Sequence, residues 1–300
     1  METLAAARLD VLDEPGWRAR RAAHEERVDA WIEPHLERRR RGVAHPVEDF
    51  LFDYYSQRPA ALRRWHPGFG TGLAGGGEYA GAKGYVVSAG STDRPEVATV
   101  SASYLRRQAR LLSGLRNLLT ATARRPAQVG CFGLHEWAMV YRLPQAEVRH
   151  SGWPLRLGTD GTDAVVESHR IACSHFDAFR FFTDAARPLN TLQPGRDDRP
   201  AFEQPGCLHA GMDLYKHAFR LSPLVPSELV ADCFELARDI RVLDMRASPY
   251  DLTALGYSPV RIETATGKQE YAAAQRAFAD RARPLRQRLI DETTRLLAGI

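Results

Sequence analysis

Cysteine is scarce in this chain. Cys131, Cys173, Cys207 and Cys233 are the only four in 300 residues, and no two form a Cys-x-x-Cys pair. That spacing argues against a structural zinc ribbon and against a disulfide scaffold, and it suits a reducing cytoplasm. Long hydrophobic runs are also missing. Mean hydropathy is −0.37, and no apolar stretch approaches the roughly 20 residues that a membrane helix needs. Met1–Arg8 has no basic start followed by an apolar block, so no secretion signal is expected. There is no Walker A loop, no Gly-x-Gly-x-x-Gly after a strand and no Gly-x-Ser-x-Gly elbow. Those absences argue against nucleotide-dependent chemistry and an α/β-hydrolase.

What is present is enough for a sizeable core. The hydrophobic share is 44%, with five Trp and twelve Phe. Formal net charge is +4, carried mostly by arginine and including the run Arg38–Arg41. Such a balance permits an anionic substrate or nucleic acid without demanding either. Residues 16–41 read as an amphipathic helix anchored by Trp17, Val28, Trp31 and Leu36. The glycine-rich segment 70–90 reads as loop, and 95–125 as a long helix stopped by Pro126. Two short strands, 147–157 and 163–167, are expected around a turn at Gly158–Gly161. Further helices are expected at 207–220, 227–245 and 268–298. The expectation is a mainly α fold, a single helical domain spanning 1–300 with a small β-hairpin insert.

Six of the ten histidines fall between His135 and His217. The densest piece is Cys207–His217. On a helix, His209, Asp213 and His217 stack at i, i+4 and i+8 along one face. Two imidazoles and a carboxylate form a common ligand set for iron, manganese or zinc. A second cluster runs from Glu167 through His169, Arg170, Cys173, His175 and Asp177 to Arg180. On a strand, 167, 169, 173, 175 and 177 would share a face. His135-Glu136 is a third candidate, although Met139 stands where a zinc-protease helix would need histidine. Asp232, Glu235 and Asp239 form an acidic stripe on the next helix, followed by Asp244, Arg246 and Asp251. Arg246 is a candidate clamp for a carboxylate or phosphate.

Four segments, in order, carry a resemblance: Tyr54–Gly68 (Tyr-Tyr-Ser-Gln-Arg-Pro-Ala-Ala-Leu-Arg-Arg-Trp-His-Pro-Gly), Cys131–Tyr141, Glu203–His209 and Leu243–Leu252. Together they resemble an actinobacterial family whose members are commonly labelled 3-methyladenine DNA glycosylase. The resemblance covers most of the chain outside 70–90. It implies excision of alkylated purines from DNA, a stacking pocket for a flipped base, and a carboxylate that supports the sugar cation or water. His209-x3-Asp213 is also similar in spacing to haem-oxygenase-like di-iron oxidases, with Glu136, Glu167 and His175 earlier in the chain.

The sequence therefore predicts a metal-dependent oxidoreductase or hydrolase, with iron as the preferred divalent ion, acting on a small and possibly anionic molecule. Its expected metal ligands are His209, Asp213, His175, Glu167 and His135. Glu136, Arg180 and Arg246 are the expected catalytic or substrate-holding groups. The alternative is a DNA N-glycosylase, which would have nucleic acid as partner; no membrane partner is expected under either reading.

Overall fold

The computed structural model describes residues 9–91 and 95–300. The leader-free reading of Met1–Arg8 lies outside them. The chain is mainly helical, with a small four-stranded sheet near its N-terminal end. None of the described helices is long and apolar enough to cross a membrane.

Strand β1 (Asp10–Leu12) leads into α1 (Glu14–Arg40). Asp13 caps α1 by accepting from the Gly16 amide at 3.1 Å. Two short helices follow, α2 (Phe50–Tyr54) and α3 (Pro59–Arg63). The sheet is completed by β2 (Thr71–Ala74), β3 (Tyr85–Ser88) and β4 (Val97–Val100), in the order β1-β2-β4-β3. The β1–β2 pair is parallel, with Val11 opposite Gly72. The other two pairs are antiparallel, with Leu73 opposite Ala98 and Val86 opposite Thr99. Trp17, Trp65, Leu73, Tyr79 and Ala98 pack beneath this sheet.

The helical body comprises α4 (Ala102–Arg107), α5 (Ala109–Ala123), α6 (Leu134–Ala138), α7 (Gly158–Glu167), α8 (Phe176–Phe179), α9 (Arg199–Phe202), α10 (Leu208–Leu221), α11 (Ser227–Arg246) and α12 (Ala265–Ala298). Helix α10 is the centre. It is buried almost all round, packs most extensively on α11 and also touches α12. Gly211 permits part of that closeness, because a Cβ there would stand 2.8 Å from Ile240 Cδ1. A helix buried on every side carries its polar residues into the core, so His209, Asp213 and His217 all need partners there.

Two expectations from sequence are corrected. The expected hairpin is absent, since 158–167 forms α7 rather than a strand. Thr162, Val165 and Val166 are the buried residues there, and their i, i+3, i+4 spacing is helical. Strands occur instead within 70–90, which reads as loop, and at Val97–Val100, which reads as the start of a helix. In Val-Ala-Thr-Val the second and fourth residues are buried and the other two half-buried, which is the period of a strand. Val97 and Val100 also fit a helical spacing, and the ladder to β2 and β3 decides between the two.

Candidate functional site

The site begins at Gly133, whose φ of +69° opens α6 in the left-handed region where glycine is favoured. Trp137, fully buried, donates its indole N–H to the Ala247 carbonyl at 2.9 Å. That bond holds α6 against the end of α11 and brings His135 to Asp244. His135 Nε2 stands 2.9 Å from Asp244 Oδ1. His209, from the first turn of α10, packs edge-on against His135 with ring centroids 4.5 Å apart. Donor atoms of His135, His209 and Asp244 all lie within 4.8 Å of one another, and all three residues are buried.

Two features of this trio matter chemically. The His135–Asp244 contact is short, yet neither His135 Nε2 nor Asp244 Oδ1 has a geometrically sound hydrogen bond. Buried polar atoms normally have one. Two ligands at right angles and about 2.05 Å from a common ion stand about 2.9 Å apart, so the spacing fits metal coordination. The second feature is electrostatic. Burial acts to raise the Asp244 carboxyl, but His135, His209 and Arg241 around it hold it below the ordinary carboxylate range. Burial and the neighbouring His135 push His209 well below the ordinary histidine value, which keeps its lone pair free. His135 is displaced the other way, because Asp244 and Glu136 outweigh the effect of burial.

Arg241 supports the trio from behind. It is 1% exposed and donates from Nη1 to Glu136 Oε1 at 2.9 Å and to Asp244 Oδ2 at 3.0 Å. Its guanidinium lies 3.8 Å from the centroid of the Phe50 ring. Glu136 is thus half of a buried ion pair that orients Asp244. In front of the trio lies a cavity of about 380 Å³. Leu134, Ile171, Leu208, Cys131, Cys173 and Cys207 give it an apolar wall, and His135, His209, Arg125 and Arg170 also line it.

Beside the trio is a second polar cluster. The His175 and His209 ring centroids are 5.4 Å apart. His175 Nε2 is 3.5 Å from both Glu203 Oε1 and Asp213 Oδ2. Arg199 binds the Glu203 carboxylate and reaches Asp213 Oδ2 at 2.8 Å. Asp213 also accepts from the Tyr55 hydroxyl at 2.9 Å and from Lys216 at 3.3 Å. Burial would raise the Asp213 carboxyl, but His175 and Lys216 hold it well below its ordinary value.

The structure therefore gathers His135, His209, His175, Asp213 and Glu136 around one place, but not in the expected grouping. Asp213 is spent on Arg199, Lys216 and Tyr55, and Asp244 stands where the sequence puts Asp213. Glu167 lies elsewhere. It is half exposed at the end of α7 and accepts from Tyr141 at 2.8 Å and Arg142 at 3.1 Å. The strand that was to align it with His175 does not form. Arg180 is exposed against Phe181, with Asp177 at 3.4 Å. Arg246 donates to the Ser258 carbonyl at 2.8 Å and pairs with Glu270 at 3.4 Å, which is a structural tie. Arg199, Glu203, Arg241 and Tyr55 have no counterpart among the sequence candidates. Asp244 carried a visible signal, a lone carboxylate between Leu243 and Met245 in a segment of apolar periodicity.

Comparison with known proteins finds no matching family model, no matching curated protein and no matching solved structure.

His217 is not part of the trio. Burial pushes it down to about 3, and burial beside Arg64 does the same to His66. Both bind a proton in the unfolded chain below about pH 6.5 but stay neutral in the folded one until far lower pH. Stability is therefore lost as pH falls from about 6.5 towards 3. Each group contributes about 1.4 kcal/mol per pH unit in that window. Urea unfolding of the His217→Leu variant is expected to show a pH slope smaller by that amount; an unchanged slope would mean that His217 is already charged in the folded protein.

Proposed function

We propose that this protein is a metal-dependent enzyme in which His135, His209 and Asp244 hold a divalent ion, with iron preferred, and the adjoining cavity takes a small molecule. The observation that carries the reading is the convergence of the three buried donors, with His135 Nε2 and Asp244 Oδ1 2.9 Å apart and lacking a hydrogen bond. Two histidines and one carboxylate with open positions are the ligand set of non-haem iron oxygenases, and related sets serve zinc hydrolases. When bound, the ion supplies Lewis acidity and open positions for oxygen, water or substrate. The chain's own residues do the rest. Arg241 orients Asp244, the apolar wall suits an apolar part of the substrate, and Arg125 and Arg170 suit an anionic group on it.

The DNA-glycosylase reading asks for aromatic rings that sandwich a flipped purine. Phe202 is the one Phe, Tyr or Trp among the described residues that line the cavity. That lining favours the metal reading.

Elemental analysis of tag-free protein purified without chelator tests the proposal. About one iron, manganese or zinc ion per chain is expected, with Tm falling on chelation and recovering on reloading. Absence of bound metal, together with a Tm that none of the three ions changes, would overturn it. Salt-sensitive DNA binding in that metal-free protein would favour the glycosylase reading.

A further inference from the structure

A second cavity, of about 220 Å³, lies away from the trio, between the end of α5, the loop before α10 and the middle of α12. Its lining includes three arginines, Arg125, Arg283 and Arg286, together with Pro205 and Gln287. Arg286 is only 2% exposed, and its Nε and Nη2 are buried without a hydrogen-bond partner. Arg125 donates from Nη2 to the Pro200 carbonyl at 3.0 Å, while its Nε is buried and unpartnered. Arg283, at the outer side, pairs with Asp280 at 2.6 Å. Among the described residues no carboxylate pairs with Arg286 or Arg125. Glu203 is the carboxylate whose charge acts on Arg286, and Arg199 already engages it.

A buried guanidinium without a partner is costly, because desolvation is not repaid by any attraction. Arginine also presents its N–H groups in a planar fork that matches a tetrahedral oxyanion. The cavity is too small for a drug-sized ligand, for which pockets of roughly 300–1,000 Å³ are usual, but it has room for a small anion. We infer that Arg286 and Arg125 form a binding site for a phosphate-type oxyanion, either free or as the terminal group of a phosphorylated small molecule. The site does not overlap the trio, since none of His135, His209 and Asp244 lines this cavity. Arg125 lines both cavities, so an anion held here would fix one edge of the larger one.

The test uses the full chain in phosphate-free buffer. Sodium phosphate and sodium chloride are titrated at matched ionic strength, with Tm and calorimetry as readouts. Phosphate is expected to bind saturably, at about one site per chain, and to raise Tm by several degrees where chloride does not. The Arg286→Met variant is expected to fold with a Tm no lower than that of the parent in phosphate-free buffer, because it removes an unpaired buried charge, and to lose the phosphate response. Should that variant fail to fold, Arg125→Met serves instead, with an expected loss of at least tenfold in phosphate affinity. Glycerol 3-phosphate in a parallel arm distinguishes the two sources, and Arg286-dependent binding of either one supports the site. A phosphate response no larger than that of chloride, or one that survives in both variants, overturns it.

Discussion

Asp244→Asn is expected to abolish the metal binding proposed for this protein while leaving its fold intact. The amide keeps the shape of the side chain and can still accept from Arg241. It loses the charge that offsets a cation, and a neutral amide is a poor ligand for a divalent ion. Loss of a second-sphere partner alone typically costs about 10- to 100-fold in metal affinity, so loss of this ligand is expected to cost at least about 100-fold. Asp213→Asn makes the comparison decisive. Asp213 is already engaged by Arg199, Lys216 and Tyr55, so its neutralisation is expected to leave metal content unchanged. Stability should fall by about 1–3 kcal/mol as buried hydrogen bonds to a charge are weakened. Metal content and urea midpoint, measured on both variants, read the two effects separately. If Asp213→Asn empties the protein of metal and Asp244→Asn does not, the ligand set is wrong.

The largest effect on stability is expected at Arg241. It is 1% exposed and bridges Glu136 and Asp244, both buried. Arg241→Met keeps much of the apolar stem but leaves two carboxylates facing each other without their cation. Removing one partner of a buried ion pair typically costs about 3–5 kcal/mol, far more than the pair contributes when intact. Urea unfolding is expected to show a loss of that size in metal-free protein. Part of it should return when iron or zinc is added, because the ion supplies the missing positive charge beside Asp244. Combining Arg241→Met with Glu136→Gln should also recover stability, since one of the stranded charges is then gone. A loss below about 1 kcal/mol in the single variant would mean that the carboxylates are protonated in the folded protein.

Local pattern carried far in this chain. The helices that became α1, α10, α11 and α12 were legible because apolar residues recur at helical spacing within each of them, and that signal needs no knowledge of the rest of the molecule. Within the histidine-rich stretch, His135 and His209 stand together, with ring centroids 4.5 Å apart. Where two periodicities fitted one short segment, local pattern failed. Val97–Val100 suits a helix or a strand, and only β2 and β3 on either side settle it. Residues 158–167 open on a turn-like Gly-Thr-Asp-Gly, but the buried face of Thr162, Val165 and Val166 closes a helix.

The sequence by itself determined the mainly helical character of the chain, the placement of His209 and His217 on one helix, and the lack of a Walker A or Gly-x-Gly-x-x-Gly motif. These are consequences of residue type and spacing. Only the tertiary structure decided which carboxylate meets those imidazoles. The i, i+4 rule puts Asp213 on the face of His209. Competition for its carboxylate removes it from candidacy, because Lys216 from the next turn of the same helix is joined there by Arg199 and Tyr55 from elsewhere in the fold. Asp244 is free to approach because the Trp137–Ala247 bond docks α6 on the end of α11, and because Gly211 lets α10 lie close to that same helix. Those contacts join residues far apart in the chain, and no spacing rule within one helix encodes them.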